Sequence, residues 1–127
     1  MNNWLGNITK RIGTISVPTR KSRKAVASKI LSDVTPEAAF VFSTGEGSFT
    51  GVRAQNLISL YEELKNVDLR SVEFHLYRMD FENWIDYLGD DALALQIAKI
   101  RAMPFDGERT RVRVVEAVGK RIKQLSN

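Results

Sequence analysis

The chain has 127 residues, 43% of them hydrophobic and 27% charged, with a formal net charge of +4 and no cysteine. This is the composition of one ordinary domain with at most a short appendage, and the lack of cysteine excludes disulfides, thiolate metal sites and thiol nucleophiles. No apolar run approaches the ~20 residues of a membrane span, so the expectation is a soluble, cytoplasmic protein with no membrane partner.

The charge falls into three blocks. Residues 1–35 carry Lys10, Arg11, Arg20, Lys21, Arg23, Lys24 and Lys29 against a single acid, Asp33. Residues 36–96 carry four basic and eleven acidic side chains, and residues 97–127 carry eight basic and three acidic. Clustered Lys and Arg bind polyanions by releasing counterions from phosphates, so a polyanion is the first partner to consider.

Residues 1–24 read as a basic, extended N-terminal arm, with Arg20-Lys21-Ser22-Arg23-Lys24 following Pro18. An organellar targeting peptide has the same composition. Leu5, Ile8, Ile12 and Ile15 are spaced for an amphipathic turn or two, which Gly6 and Gly13 weaken. Trp4 is an anchor, a base-stacking platform or simply the one aromatic of a tail.

A single globular domain is expected over residues 25–127. Ala25–Leu31 is a short helical candidate, ended before Pro36. Ala39–Ser43 and Phe49–Arg53 read as two strands joined by the turn Thr44–Ser48, a hairpin that must pack on helices to be stable. Leu57, Leu60, Tyr61, Leu64 and Val67 place one apolar stripe on a helix over about 56–66.

Ser71 is a candidate cap for a helix carrying Val72, Leu76 and Met79, and Asp80 for one carrying Phe81, Trp84, Ile85 and Leu88 that stops at Gly89. Trp84 is expected to pack against Leu57, Leu60 and Leu64. Asp90 caps the next helix, with Leu93, Ile97 and Ile100 inward, until Met103-Pro104. The last helix spans about 107–125, and Arg109, Arg113, Glu116, Lys120 and Lys123 run along it as a mostly positive stripe. The fold class expected is mainly α (α+β): a short β-hairpin on a compact bundle of about five helices, with a basic arm.

Motifs for chemistry are weak. The run Gly45-Glu46-Gly47-Ser48-Phe49-Thr50-Gly51 lacks a Walker lysine and a Rossmann spacing, so it reads as a hairpin turn. His75 is the only histidine, with Glu73, Asp80, Glu82 and Asp86 nearby in sequence. Helical geometry does not let those carboxylates converge on it, and it reads as a partly buried imidazole with one hydrogen bond. No catalytic residue, metal site or cofactor is assigned.

Several rarer residues recur in order: Asn56-Leu57 and Glu63-Leu64 on one helix, the pair Phe74-His75, then Asp80-Phe81-Glu82-Asn83-Trp84, then Gly89-Asp90 with Leu93-Ala94. In this pattern, spanning about residues 29–100, the chain resembles a family of small, functionally uncharacterised archaeal domains. It is also similar to small archaeal proteins found on ribosomal subunits. The resemblance implies a helical fold and no established catalytic residue. The chain departs from the family in its longer hairpin turn, its basic arm, and Arg78-Met79-Asp80-Phe81 where Lys-Asn-Asp-Phe is frequent.

Together these readings describe a non-enzymatic RNA-binding protein associated with the archaeal ribosome, as an accessory subunit or a dormancy and dimerisation factor. Its partners would be RNA, rRNA foremost, and ribosomal proteins, with a homodimer formed where an acidic middle meets another copy's basic arm. The nucleic-acid contacts would be Lys10, Arg11, Arg20, Lys21, Arg23 and Lys24 on the arm and Arg109, Arg111, Arg113, Lys120 and Arg121 on the last helix. The alternatives are a DNA-packaging or virion nucleoprotein and a protein–protein adaptor using the acidic middle.

Overall fold

Thr19 opens the first element of the computed structural model, which describes residues 19–127. Its hydroxyl accepts from the backbone N–H of Ser22 at 3.0 Å and so caps α1, Arg20–Leu31. The helix therefore begins five residues before the expected Ala25. Lys and Arg are good helix formers, and a Thr cap just after a proline outweighs the bias of a charged run toward extended chain. The expectations for Lys10, Arg11, Trp4 and the apolar stripe before Thr19 lie outside the described residues.

A 3₁₀ turn at Pro36–Ala38 leads into the hairpin of β1, Phe40–Ser43, and β2, Phe49–Ala54, paired antiparallel with Phe40 opposite Ala54. Five α-helices follow: α2 (Leu57–Leu64), α3 (Leu69–Tyr77), α4 (Asp80–Leu88), α5 (Asp91–Arg101) and α6 (Gly107–Leu125). The described residues are thus mainly α, with the hairpin seated on the bundle. No helix among them is long and apolar enough to cross a membrane.

The core forms where β1 meets α3 and α4. Phe40 and Phe42 are fully buried, Phe40 stacks on Phe81 at 5.2 Å, and Trp84 meets Phe40 edge-on at 5.7 Å. Trp84 lies in the same core as Leu57, Leu60 and Leu64. Its ring neighbour is the strand, and its indole N–H donates to Ala38 O at 2.8 Å, which ties α4 to the 3₁₀ turn. That bond satisfies a donor that burial would otherwise strand. On the far side, α6 approaches α2 closely because Gly119 has no Cβ; one placed there would stand 2.7 Å from Tyr61 Cε1.

Two caps differ from expectation. Asp68, and not Ser71, caps α3 by accepting from the N–H of Arg70 at 2.9 Å. Ser71 lies inside the helix, fully buried, with no partner for its hydroxyl. Asp80 is the first residue of α4 and not its cap, a place taken by Met79 in the left-handed region at φ 66°. A non-glycine residue there is strained by about 1–2 kcal/mol; Met79 follows the α3 C-cap Arg78, where the left-handed region is the common way to end a helix.

Candidate nucleic-acid interface

Asp80 is held by His75. The His75 ring is 2% exposed and packs against Phe40, Phe42, Phe74 and Phe81. The Ser43 backbone N–H donates to His75 Nε2 at 2.8 Å, and Nδ1 lies 2.8 Å from Asp80 Oδ2. A backbone donor on Nε2 makes that nitrogen an acceptor, so Nδ1 carries the proton and donates to Asp80. His75 is therefore fully buried with two hydrogen bonds, against the expected partly buried ring with one. It clamps β1 to the α3–α4 corner, and neither nitrogen is turned to a ligand. No three acidic or imidazole groups among the described residues are placed to hold a metal ion.

Three acids of the middle segment are similarly turned inward. Asp80, Glu82 and Asp90 are 6%, 7% and 1% exposed. Arg78 Nε stands 3.5 Å from Asp80, Arg101 Nε donates to Glu82 at 2.5 Å, and Arg121 Nε donates to Asp90 at 2.8 Å. Asp90 is also the expected cap of α5, accepting from Leu93 N–H at 3.1 Å. The hydrogen bond to Glu82 raises the pKa of Arg101 above its ordinary value. A buried carboxylate needs such a partner, so part of the negative charge of residues 36–96 is absorbed by arginines of other segments.

This redistributes the basic residues assigned to nucleic acid. Arg111 donates through Nη1 to Leu64 O at 2.8 Å and Val67 O at 2.7 Å, and through Nε to Glu108 at 2.7 Å. Its guanidinium satisfies carbonyls that the end of α2 leaves open, and with its side chain 12% exposed it is a structural brace and not a phosphate contact. Arg121 is shared between Asp90 and Gln124, with its side chain 28% exposed.

The remaining candidates stay outward. Arg20, Lys21, Arg23 and Lys24 are exposed on α1, Arg109 and Lys120 are exposed on α6, and Arg113 is half-buried. Arg109 lies 3.9 Å from Asp106 at the start of α6.

Packing of α1 on α6 brings the two basic segments together. The N-terminal half of α1 faces the C-terminal end of α6 across a groove of about 890 Å³, lined by Arg20, Arg23 and Lys24 on one wall and Arg121, Gln124 and Leu125 on the other. The first turn of α1 has no acidic residue, and cations at a helix N-terminus oppose its dipole. An anion held against the α1 wall would relieve that repulsion, whereas the α6 wall, a helix C-terminus, carries the opposite dipole and offers Arg121. Arg109, Val112 and Arg113 line a shallower depression nearer the start of α6, about 20 Å away by helix rise.

Sequence reasoning missed Asp68 as the α3 cap, Arg111 as a brace and the bulge that shifts the β1–β2 register between Val41–Arg53 and Ser43–Phe49. Gly51 inside a strand pattern was the available signal for the last. No family model, curated protein or solved structure matches the chain.

Proposed function

We propose that this protein is a non-enzymatic RNA-binding protein associated with the archaeal ribosome, acting as an accessory subunit or dormancy factor. The observation that carries the RNA reading is the groove where Arg20, Arg23 and Lys24 of α1 meet the C-terminal end of α6. Phosphates are the natural occupants of such a cationic cleft, because each one neutralised releases counterions. Lys120, Arg113 and Arg109 extend the cationic surface along α6. The ribosome is the narrower part of the proposal and rests on the sequence resemblance.

Asp80, Glu82 and Asp90 are spent on internal partners, so an adaptor face or a dimer built on the acidic middle would use its exposed acids, Glu37, Glu46, Glu62, Asp68, Glu73 and Asp91. Sedimentation with ribosomal subunits at low and high salt tests the proposal: co-sedimentation at low salt and release at high salt is expected. Absence from the subunit fractions at low salt would overturn the ribosomal assignment. For the groove, Arg20→Glu/Lys24→Glu should flatten the plot of log affinity for RNA against log salt by about 0.7–0.9 for each phosphate that is no longer neutralised. An unchanged slope would remove the groove from the interface.

A further inference from the structure

The hairpin holds an aromatic side chain that the core does not use. Phe40 and Phe42 on β1 are fully buried, whereas Phe49 on β2 is 49% exposed. The strand carrying it is not regular. Between the pairs Val41–Arg53 and Ser43–Phe49, β1 advances two residues and β2 advances four, so β2 is bulged around Thr50, Gly51 and Val52. Gly51 takes φ 87°, which only glycine adopts without strain. The bulge is stitched by Thr50, whose hydroxyl donates to Phe42 O at 2.8 Å and accepts from Val52 N–H at 3.1 Å.

Residues four apart on a regular strand are about 13 Å apart. Here the Arg53 guanidinium carbon lies over the Phe49 ring, 5.1 Å from its centroid. Bulges re-aim side chains in this way and concentrate at functional sites. Apart from its two chain neighbours, nothing lies within 4 Å of where a Gly51 Cβ would stand, so that part of the bulge is uncovered. An exposed ring with a guanidinium laid over it, on an uncovered bulge, presents a π-surface and a positive charge to one occupant.

A nucleotide carries both complements, a flat base and a phosphate, and unpaired bases stack on aromatic rings and on guanidinium planes. Bases inside a duplex do not offer their faces. We infer that the bulged strand β2 is a stacking site for an unpaired base of single-stranded RNA, with Phe49 as the platform and Arg53 as its cationic partner. This inference rests on the RNA reading above, and it adds an interaction that the α1–α6 groove cannot supply, since phosphate contacts do not distinguish single strands by their bases.

The test measures affinity for a labelled 12-nucleotide uridine RNA and a 12-base-pair RNA duplex at one fixed salt concentration. It compares the full chain with Phe49→Ala, Phe49→Tyr and the groove variant Arg20→Glu/Lys24→Glu, with circular dichroism on each. Phe49→Ala should bind the single strand about tenfold more weakly, the factor one stacked base carries, and leave the duplex unchanged, while Phe49→Tyr should stay within twofold of wild type. Single-strand affinity of Phe49→Ala within twofold of wild type, or an equal weakening on both RNAs, overturns the stacking site. If the groove variant is then weakened on both RNAs, the polyanion reading survives alone. A wild-type chain that binds neither RNA overturns both. Weakening in Phe49→Ala with an unaffected groove variant upholds stacking and removes the groove.

Discussion

Arg111 and Lys120 lie on the same helix and serve opposite ends. Arg111 turns into the protein to hold Leu64 O and Val67 O, while Lys120 remains in solvent on the stripe that continues toward the α1 groove. The same division runs through the molecule. An inner set of charges, Asp80 with Arg78, Glu82 with Arg101, Asp90 with Arg121, joins the helices to one another, and His75 links Asp80 to the hairpin through Ser43. An outer set on α1 and α6 has the same side-chain types and a different environment. Charge counted along the chain is therefore not charge displayed on the surface. The acidic middle loses part of its sign to internal pairing, and the basic tail gives up Arg101, Arg111 and Arg121 to structure.

The core beneath both sets fixes the scale against which they are compared. Trp84→Ala should cost about 3–5 kcal/mol as a large-to-small core change, read from the urea midpoint. A cost under about 1 kcal/mol would mean that Trp84 is not central to the packing of β1 on α4.

Arg111→Met keeps the aliphatic stem and removes the donors, leaving two carbonyls without a partner at about 1–3 kcal/mol each. A total of about 2–6 kcal/mol is expected, with RNA affinity within twofold of wild type. A stable variant with impaired binding would move Arg111 back to the outer set.

The converse applies to Arg113→Glu/Lys120→Glu. Stability should fall by no more than about 1 kcal/mol, since Lys120 is exposed and Arg113 is only half-buried, while RNA affinity falls similarly for every sequence tried because phosphates carry no base information. Affinity within twofold of wild type would leave α1 as the main cationic surface.

The smallest effect concerns an exposed pair. The side-chain and backbone hydrogen bonds from Arg70 lower the pKa of Asp68 from 3.8 to about 2. A depressed folded-state pKa contributes stability that is present above the ordinary value and lost as pH falls through the folded one. The stability gap between wild type and Asp68→Asn should be level above about pH 5 and shrink from about pH 4 toward about pH 2. A gap that widens on acidification would show that Asp68 is not held this way.

Much of the helical framework is legible without coordinates. Leu57, Leu60 and Leu64, or Phe81, Trp84, Ile85 and Leu88, mark a buried face through a spacing that any α-helix imposes. Gly89 and Pro104 stop helices through backbone geometry that belongs to the residue itself. The Asn56–Ser59 capping box and the Asp90 cap are equally local, each closing over three residues.

Other features depend on partners distant in sequence. Asp68 and Ser71 are both credible caps three residues apart, and the choice falls to burial of the α3 face that carries Ser71. His75 acquires its second bond because the Ser43 N–H arrives from thirty-two residues away. Met79 is left-handed at the position after the α3 C-cap, where helices commonly end in this way, and the His75–Asp80 bond spans the corner so formed.

What the sequence determined by itself is the set of elements and the places where they stop, since periodicity, caps and breakers act within one or two turns. Which charges are spent inside, which remain on the α1–α6 face, and where Phe49 and Arg53 meet were decided only by tertiary structure. Burial, and the need of every buried charge for a partner, depend on segments that are far apart along the chain and meet only when it folds.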